Sequence, residues 1–160
     1  MTDSKHARYA AVFARIKDLI EGETDEIAIM ATVVCELHHA FEYYDWTGFY
    51  RVTAPGLLKV GPYQGGHGCL TIPFSRGVCG AAARTRRVQL VPDVTKVPYH
   101  IACSSTTRSE IVVPVVDAQG EVRAVLDVDS DQLAAFDETD AEWLERICRA
   151  IAHHVAWGER

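Results

Sequence analysis

The sequence predicts an α+β sandwich: a central, mainly antiparallel β-sheet with helices from both ends of the chain on one face and loops over the other. Three observations carry this. Apolar residues recur at three- and four-residue steps from Lys5 to His38 and again after Asp137, the spacing of helices that bury one face. Between those stretches the pattern becomes β-like, in short runs rich in Val, Ile, Tyr and Trp that are broken by Pro and Gly. The last two such runs are joined by Asp117-Ala118-Gln119-Gly120, a short turn that makes them an antiparallel hairpin.

Taken in chain order, Tyr9, Val12, Phe13, Ile16, Leu19 and Ile20 place a first helix over about Lys5–Ile20, and Gly22 ends it. Thr24 is the expected N-cap of a second helix, with Asp25 and Glu26 in its first turn and Ile27, Met30, Ala31, Val34, Cys35 and His38 on its apolar side. Trp46–Val52 and Leu57–Tyr63 follow as strands around a Pro55-Gly56 turn, with a short third strand at Cys69–Ile72. Gly77–Ala83 reads as a helical turn or two and Val88–Val91 as a strand. Asp93–Thr107 reads as a long loop with a short helical piece around His100, and loops of that length inside a compact fold are usually functional. Ser109–Val116 and Glu121–Asp129 form the hairpin. Ala141, Leu144, Ile147, Cys148, Ile151, Ala152 and Val155 carry a closing helix that starts at Asp137.

A chain of 160 residues with 48% apolar and 24% charged side chains has the size of one globular domain, 1–160. Lys and Arg number 16 against 22 Asp and Glu, a net charge of −6, and the densest basic stretch is Arg84-Thr85-Arg86-Arg87. A nucleic-acid partner would need more clustered positive charge. No apolar run nears the roughly 20 residues that span a bilayer, and the start MTDSKHARYA lacks the apolar stretch of a signal peptide. The expectation is a cytoplasmic protein with neither a membrane nor a nucleic-acid partner.

Carboxylates and cysteines are the groups with chemistry to offer. If Val116 faces Glu121 across the turn, Glu110 stands opposite Asp127 and Arg108 opposite Asp129, all on one face of the hairpin; a β-bulge would shift this register by one. Opposed like charges on a strand pair are unfavourable, so a cation belongs between them. Arg108 on a solvated face would satisfy that, and so would a pocket under the 93–107 loop that takes an ammonium or a metal ion. Mutual repulsion in such a pocket would also keep one carboxyl protonated. Three carboxylates suit magnesium or calcium, but no calcium-loop spacing is present.

The five cysteines are an odd number, which does not read as a closed disulfide framework. Cys35 and Cys148 sit at apolar helical positions and read as core. Cys69, Cys79 and Cys103 lie beside glycines or in the aperiodic stretch, ten and twenty-four residues apart, with His67 and His100 nearby. Those spacings are not those of a zinc ribbon or finger and there is no CxxC, so no metal is predicted; a thiol pair that forms a disulfide during turnover suits a reducing compartment better. Trp46, Tyr50 and Tyr63 read as core aromatics. No phosphate-binding loop, dinucleotide fingerprint, nucleophile-elbow serine or HExxH is present.

Six strings together resemble a known family: Trp46-Thr47-Gly48-Phe49-Tyr50, Gly61-Pro62-Tyr63-Gln64-Gly65, Arg76-Gly77-Val78-Cys79-Gly80, His100-Ile101-Ala102-Cys103, Ser109-Glu110-Ile111-Val112-Val113-Pro114 and Val125-Leu126-Asp127-Val128-Asp129-Ser130. They are similar to those of the GAF-domain free methionine-(R)-sulfoxide reductases, over roughly residues 20 to 155. The resemblance implies a GAF-type sandwich with a loop-covered ligand pocket, and an enzyme without cofactor that reduces free methionine (R)-sulfoxide with electrons from thioredoxin. It implies Cys103 as the attacking cysteine, Cys69 as its resolving partner and Cys79 as a third cysteine that can also resolve. Glu110, Asp127 and Asp129, with Trp46 and Tyr50, would line the amino-acid pocket of a homodimeric protein. The chain departs from the family pattern at Gly66-His67-Gly68, where a basic residue, an aliphatic and an alanine are common, and this implies a looser loop before Cys69. Ala124 stands where glycine is common.

The residues fit that chemistry. A thiolate attacks a sulfoxide sulfur as the oxygen takes a proton, so nucleophile and acid are needed together. The product is a cysteine sulfenic acid, which a second thiol condenses to a disulfide. Crowded carboxylates raise the pKa of a nearby thiol, so the attacker is expected to be activated once the substrate ammonium has neutralised them. A rival expectation is a non-catalytic GAF module that senses a small molecule or redox state.

Overall fold

The structure is a computed structural model that describes residues 2–100 and 103–158. Helix α1 (Thr2–Leu19) ends before Gly22, whose φ of +76° turns the chain at little steric cost. Helix α2 (Glu26–Ala40) is capped by Asp25, which accepts a hydrogen bond from the Ala28 amide; Thr24, the cap expected from sequence, instead presents its carbonyl to the Ala156 amide. Asp carries charge as well as an acceptor, so it serves the helix N-terminus better. Helix α4 (Glu138–His154) opens on a full capping box in which Asp137 and Asp140 satisfy each other's backbone amides.

Strands β1 (Trp46–Ala54), β2 (Leu57–Gln64), β3 (Thr71–Pro73), β4 (Gln89–Val91), β5 (Ser109–Val116) and β6 (Val122–Ser130) form one antiparallel sheet in the order β3-β2-β1-β6-β5-β4. Helix α3 (Gly77–Thr85) and a 3-10 turn (Val94–Lys96) lie between β3 and β5. The third strand starts two residues later than expected from sequence, leaving Cys69 in the connection before it. The short helical piece of the long loop falls at 94–96 rather than around His100, because Asp93 caps it through the Thr95 amide.

Strand alternation sorts side chains to two faces. Phe49, Ile111, Val113, Val115, Ala124, Leu126 and Val128 pack against α1, α2 and α4 in the larger core. Trp46, Tyr50, Leu58, Val112 and Val125 point the other way, towards Val78, Cys79 and Ala82 of α3. Cys148 is buried as expected, whereas Cys35 is only half-buried, with its sulfur 3.8 Å from His39 Nδ1. No helix among the described residues is long and apolar enough to cross a membrane.

The hairpin corrects the expected register. Val116 pairs with Val122, an irregularity follows, and from Val115 onward the partners are Ala124, Val125, Leu126, Asp127, Val128 and Asp129 in turn. Glu110 therefore faces Asp129, and Asp127 faces Val112. The cause is at the turn: Asp117 accepts from the amides of Gln119 and Glu121 at 2.9 Å each and from Arg123 Nε at 2.7 Å. Its amide also bonds the Glu121 carbonyl, so the hairpin closes one residue later than expected and Arg123 is left as the extra residue.

Candidate active site

On the face away from the long helices, β1, β5 and β6 form the floor of a small cavity. Register puts Trp46 beside Asp129, Gly48 beside Asp127 and Tyr50 beside Val125, so both aromatics and all three carboxylates rise from the same face. The Trp46 ring stacks between Tyr50 and Tyr63, with centroids 5.7 Å and 5.3 Å away, and its Nε1 donates to the Gly66 carbonyl at 2.8 Å. Gly68 closes over these rings. A Cβ there would meet Trp46 Cζ2 at 2.8 Å and Tyr50 Oη at 2.9 Å, so the close approach of the loop to both aromatics requires glycine or movement of the rings.

The roof comes from three segments: the β2–β3 connection with His67 and Gly68, the start of α3 with Gly77, Val78 and Cys79, and the loop after β4 with His100, Cys103, Ser104 and Thr107. A disulfide between Cys69 and Cys103 ties the first to the third, with a Cα–Cα distance of 5.5 Å that is ordinary for such a bond. The space left beneath is about 30 Å³, room for a water molecule or two. Ile101 and Ala102, within the string that contains Cys103, lie outside the described residues.

Electrostatics divide the carboxylates. Burial, and then the negative charge of Asp129 and Glu110, push Asp127 well above the usual carboxyl range; burial and Glu110 do the same for Asp129. Burial would raise Glu110 too, but His100 and the protons on Asp127 and Asp129 bring it below the ordinary value. His100 Nδ1 lies 3.5 Å from Glu110 Oε1. One oxygen of each carboxylate (Glu110 Oε1, Asp127 Oδ1, Asp129 Oδ1) is buried without a well-formed hydrogen-bond partner. Such groups are costly to leave so, and together they mark a place for a positive charge. Arg108, which the sequence offered as a partner for Asp129, is exposed and only its amide reaches this region, donating to Ser130. Cys79 is buried and its thiol is pushed far up by burial first and by Asp127 next.

Of the residues singled out for the site from sequence, Cys79, Cys103, Trp46, Tyr50, Glu110, Asp127 and Asp129 line one cavity, and Cys69 joins it through its bond to Cys103. His100, which the sequence places near the cysteines, stands against Glu110. Ser104 and Thr107 were missed, since a serine and a threonine in an aperiodic loop carry no signal of their own. Gly68 was flagged only as a departure; its closeness to Trp46 and Tyr50 was not readable.

Comparison with known proteins gives a consistent set of matches. Residues 23–156 match the family described as the GAF domain. A Dictyostelium discoideum protein named GAF domain-containing protein A is 43% identical over 148 residues, covering 92% of each chain. The Saccharomyces cerevisiae free methionine-R-sulfoxide reductase is 37% identical over 139 residues, covering 83% of this chain and 77% of the yeast protein. The crystal structure of the Neisseria meningitidis free methionine-R-sulfoxide reductase in complex with its substrate superposes with a TM-score of 0.89 at 42% identity, covering 94% of this chain and 89% of that one.

Proposed function

Given that this chain belongs to the GAF-domain family, with free methionine-R-sulfoxide reductases among its relatives, we propose that its whole length is one GAF unit that reduces free L-methionine (R)-S-oxide to methionine. The observation that carries this is the disulfide between Cys69 and Cys103 roofing a buried trio of carboxylates with unpartnered oxygens. The trio suits the substrate's ammonium, and the Trp46 and Tyr50 rings suit its methyl sulfoxide end.

In the reduced enzyme, the Cys103 thiolate attacks the sulfoxide sulfur while the oxygen takes a proton. Asp127 and Asp129 hold protons at the pocket floor and are the groups able to give one. The oxygen passes to Cys103 as a sulfenic acid and methionine leaves. The Cys69 thiol then displaces water from that sulfenic acid, giving the Cys69–Cys103 disulfide, which a thioredoxin dithiol reduces while being oxidised itself. Cys79, held as a neutral thiol, is the poorer resolving candidate of the two. The carboxylate pocket accounts for a preference for the free amino acid, because a peptide-bound methionine sulfoxide offers an uncharged amide in place of the ammonium.

Thioredoxin-coupled NADPH consumption, measured with free methionine (R)-sulfoxide, its S epimer and the N-acetylated R form, tests the reading. Turnover confined to the free R form is the expected result. Equal rates with the acetylated compound would overturn the ammonium pocket, and no turnover with any sulfoxide would leave a sensing module.

A further inference from the structure

Cys79 is a buried group for which the reaction above has no required step. Its sulfur, a Glu110 oxygen and an Asp127 oxygen all lie within 4.8 Å of one another. Four-coordinate zinc, with bonds of about 2.0–2.3 Å, needs donors roughly 3.3–3.6 Å apart, which shifts of about an ångström at these side chains would provide. Two further facts point to a ligand. Glu110 and Asp127 are only 5% and 4% exposed, both line the cavity, and each has a buried oxygen without a well-formed hydrogen bond. His100 Nδ1 is also buried, with no well-formed hydrogen bond, 3.5 Å from Glu110 Oε1, which is the spacing of two ligands on one ion.

We propose that, with the disulfide closed, Cys79, Glu110, Asp127 and His100 form a four-coordinate site for a borderline divalent cation of the Zn²⁺ type. Magnesium and calcium prefer six or more oxygens, whereas thiolate and imidazole beside two carboxylates favour zinc. The dication reverses the local field, so the thiol gives up its proton on binding, as thiol ligands of zinc do. The site stands on the donor geometry and is independent of the identity of the substrate.

The probe is the metal alone, added to chelator-treated protein kept free of thiol reagents so that Cys69 and Cys103 stay in their disulfide. Equilibrium dialysis is expected to give one Zn²⁺ per chain, undisturbed by excess Mg²⁺, and Co²⁺ is expected to show a thiolate-to-metal charge-transfer band. Cys79→Ala should abolish that band, and both it and His100→Ala should weaken Zn²⁺ at least about tenfold, a loss that even outer-layer partners of a metal commonly carry. Thermal unfolding of the two variants without metal establishes that they are folded. Absence of the cobalt band from the unmodified protein, or equal Zn²⁺ affinity in Cys79→Ala, would overturn the site and assign any bound ion to histidines elsewhere. Sulfoxide turnover in chelated buffer reads the proposed function separately, so one can fail while the other stands.

Discussion

Asp127 is held in a place that favours its neutral form, since burial and two neighbouring carboxylates raise its pKa. Between the ordinary carboxyl range and that raised value, the native state keeps a proton that the unfolded chain has released. Stability must therefore fall as pH rises through this window. Asp127→Asn removes the dependence at this position, so the variant should unfold at a higher temperature than the parent near a pH of about 8, and a lower midpoint there would contradict the assignment. The same change takes from the ammonium site a carboxyl that an arriving ammonium would ionise. We expect the KM for free methionine sulfoxide to rise about 10- to 100-fold, the worth of a hydrogen bond to a charged group, with a smaller change in kcat. A fall in kcat alone would mark Asp127 as the acid. Cys103→Ser should abolish methionine release, whereas Cys69→Ser should release one methionine per chain and then stop, as quantified in a single-turnover experiment without reductant. Normal steady-state turnover of Cys69→Ser would remove it from the resolving role. At this scale the sequence was informative about which residues gather, because carboxylates on alternate strand positions share a face; it was silent about their protonation, which depends on burial.

The hairpin and the helix caps show what can and cannot be read at the level of elements. The observed register differs from the expected one by two residues over most of its length, and a shift of two leaves every side chain on its own face. The trio of carboxylates was therefore legible although its pairing was not. The pairing depends on Asp117 and Arg123, whose contact fixes an irregular position that no alternation pattern reveals. Equally hidden is the junction of α1 with α4. Asp140, with no exposure, accepts from Tyr9 and Tyr43 hydroxyls at 2.6 Å each and from Lys5 Nζ and the Asp137 amide at 2.8 Å each. In sequence it is one more acid in a helix's first turn. Asp140→Ala removes the closest carboxylate of Lys5 and the acceptor shared by the Tyr9 and Tyr43 hydroxyls, and we expect it to cost about 3 kcal/mol in a denaturant titration. Tyr9→Phe should cost about 1–2 kcal/mol, because it also leaves Tyr44, 2.6 Å away, short of a partner.

For the molecule as a whole, the two-sided sheet was legible because residues as far apart as Phe49 and Leu126 show the same alternation, and because helical periodicity occurs at both ends of the chain. The edges were not. Strands β3 and β4 have three residues each, too short for a periodic signal, and they are the margins between which the pocket is roofed. The disulfide joins positions 34 residues apart; a closed loop of that length removes chain entropy worth about 4 kcal/mol from the unfolded state. Reduction should accordingly lower Tm on the order of 10 °C for a protein of this size, and differential scanning calorimetry with and without reductant checks it; identical midpoints would mean that the reduced chain gains compensating contacts. Cys69 stands in the connection just before the strand at one margin, and Cys103 in the long loop that follows the strand at the other. The bond is thus a covalent hoop around an otherwise open sheet, closing with sulfur a ring that backbone hydrogen bonds leave incomplete. Opening it frees both margins in one event, so amide exchange in β3 and β4 should report the redox state of the protein together, although the two strands never touch.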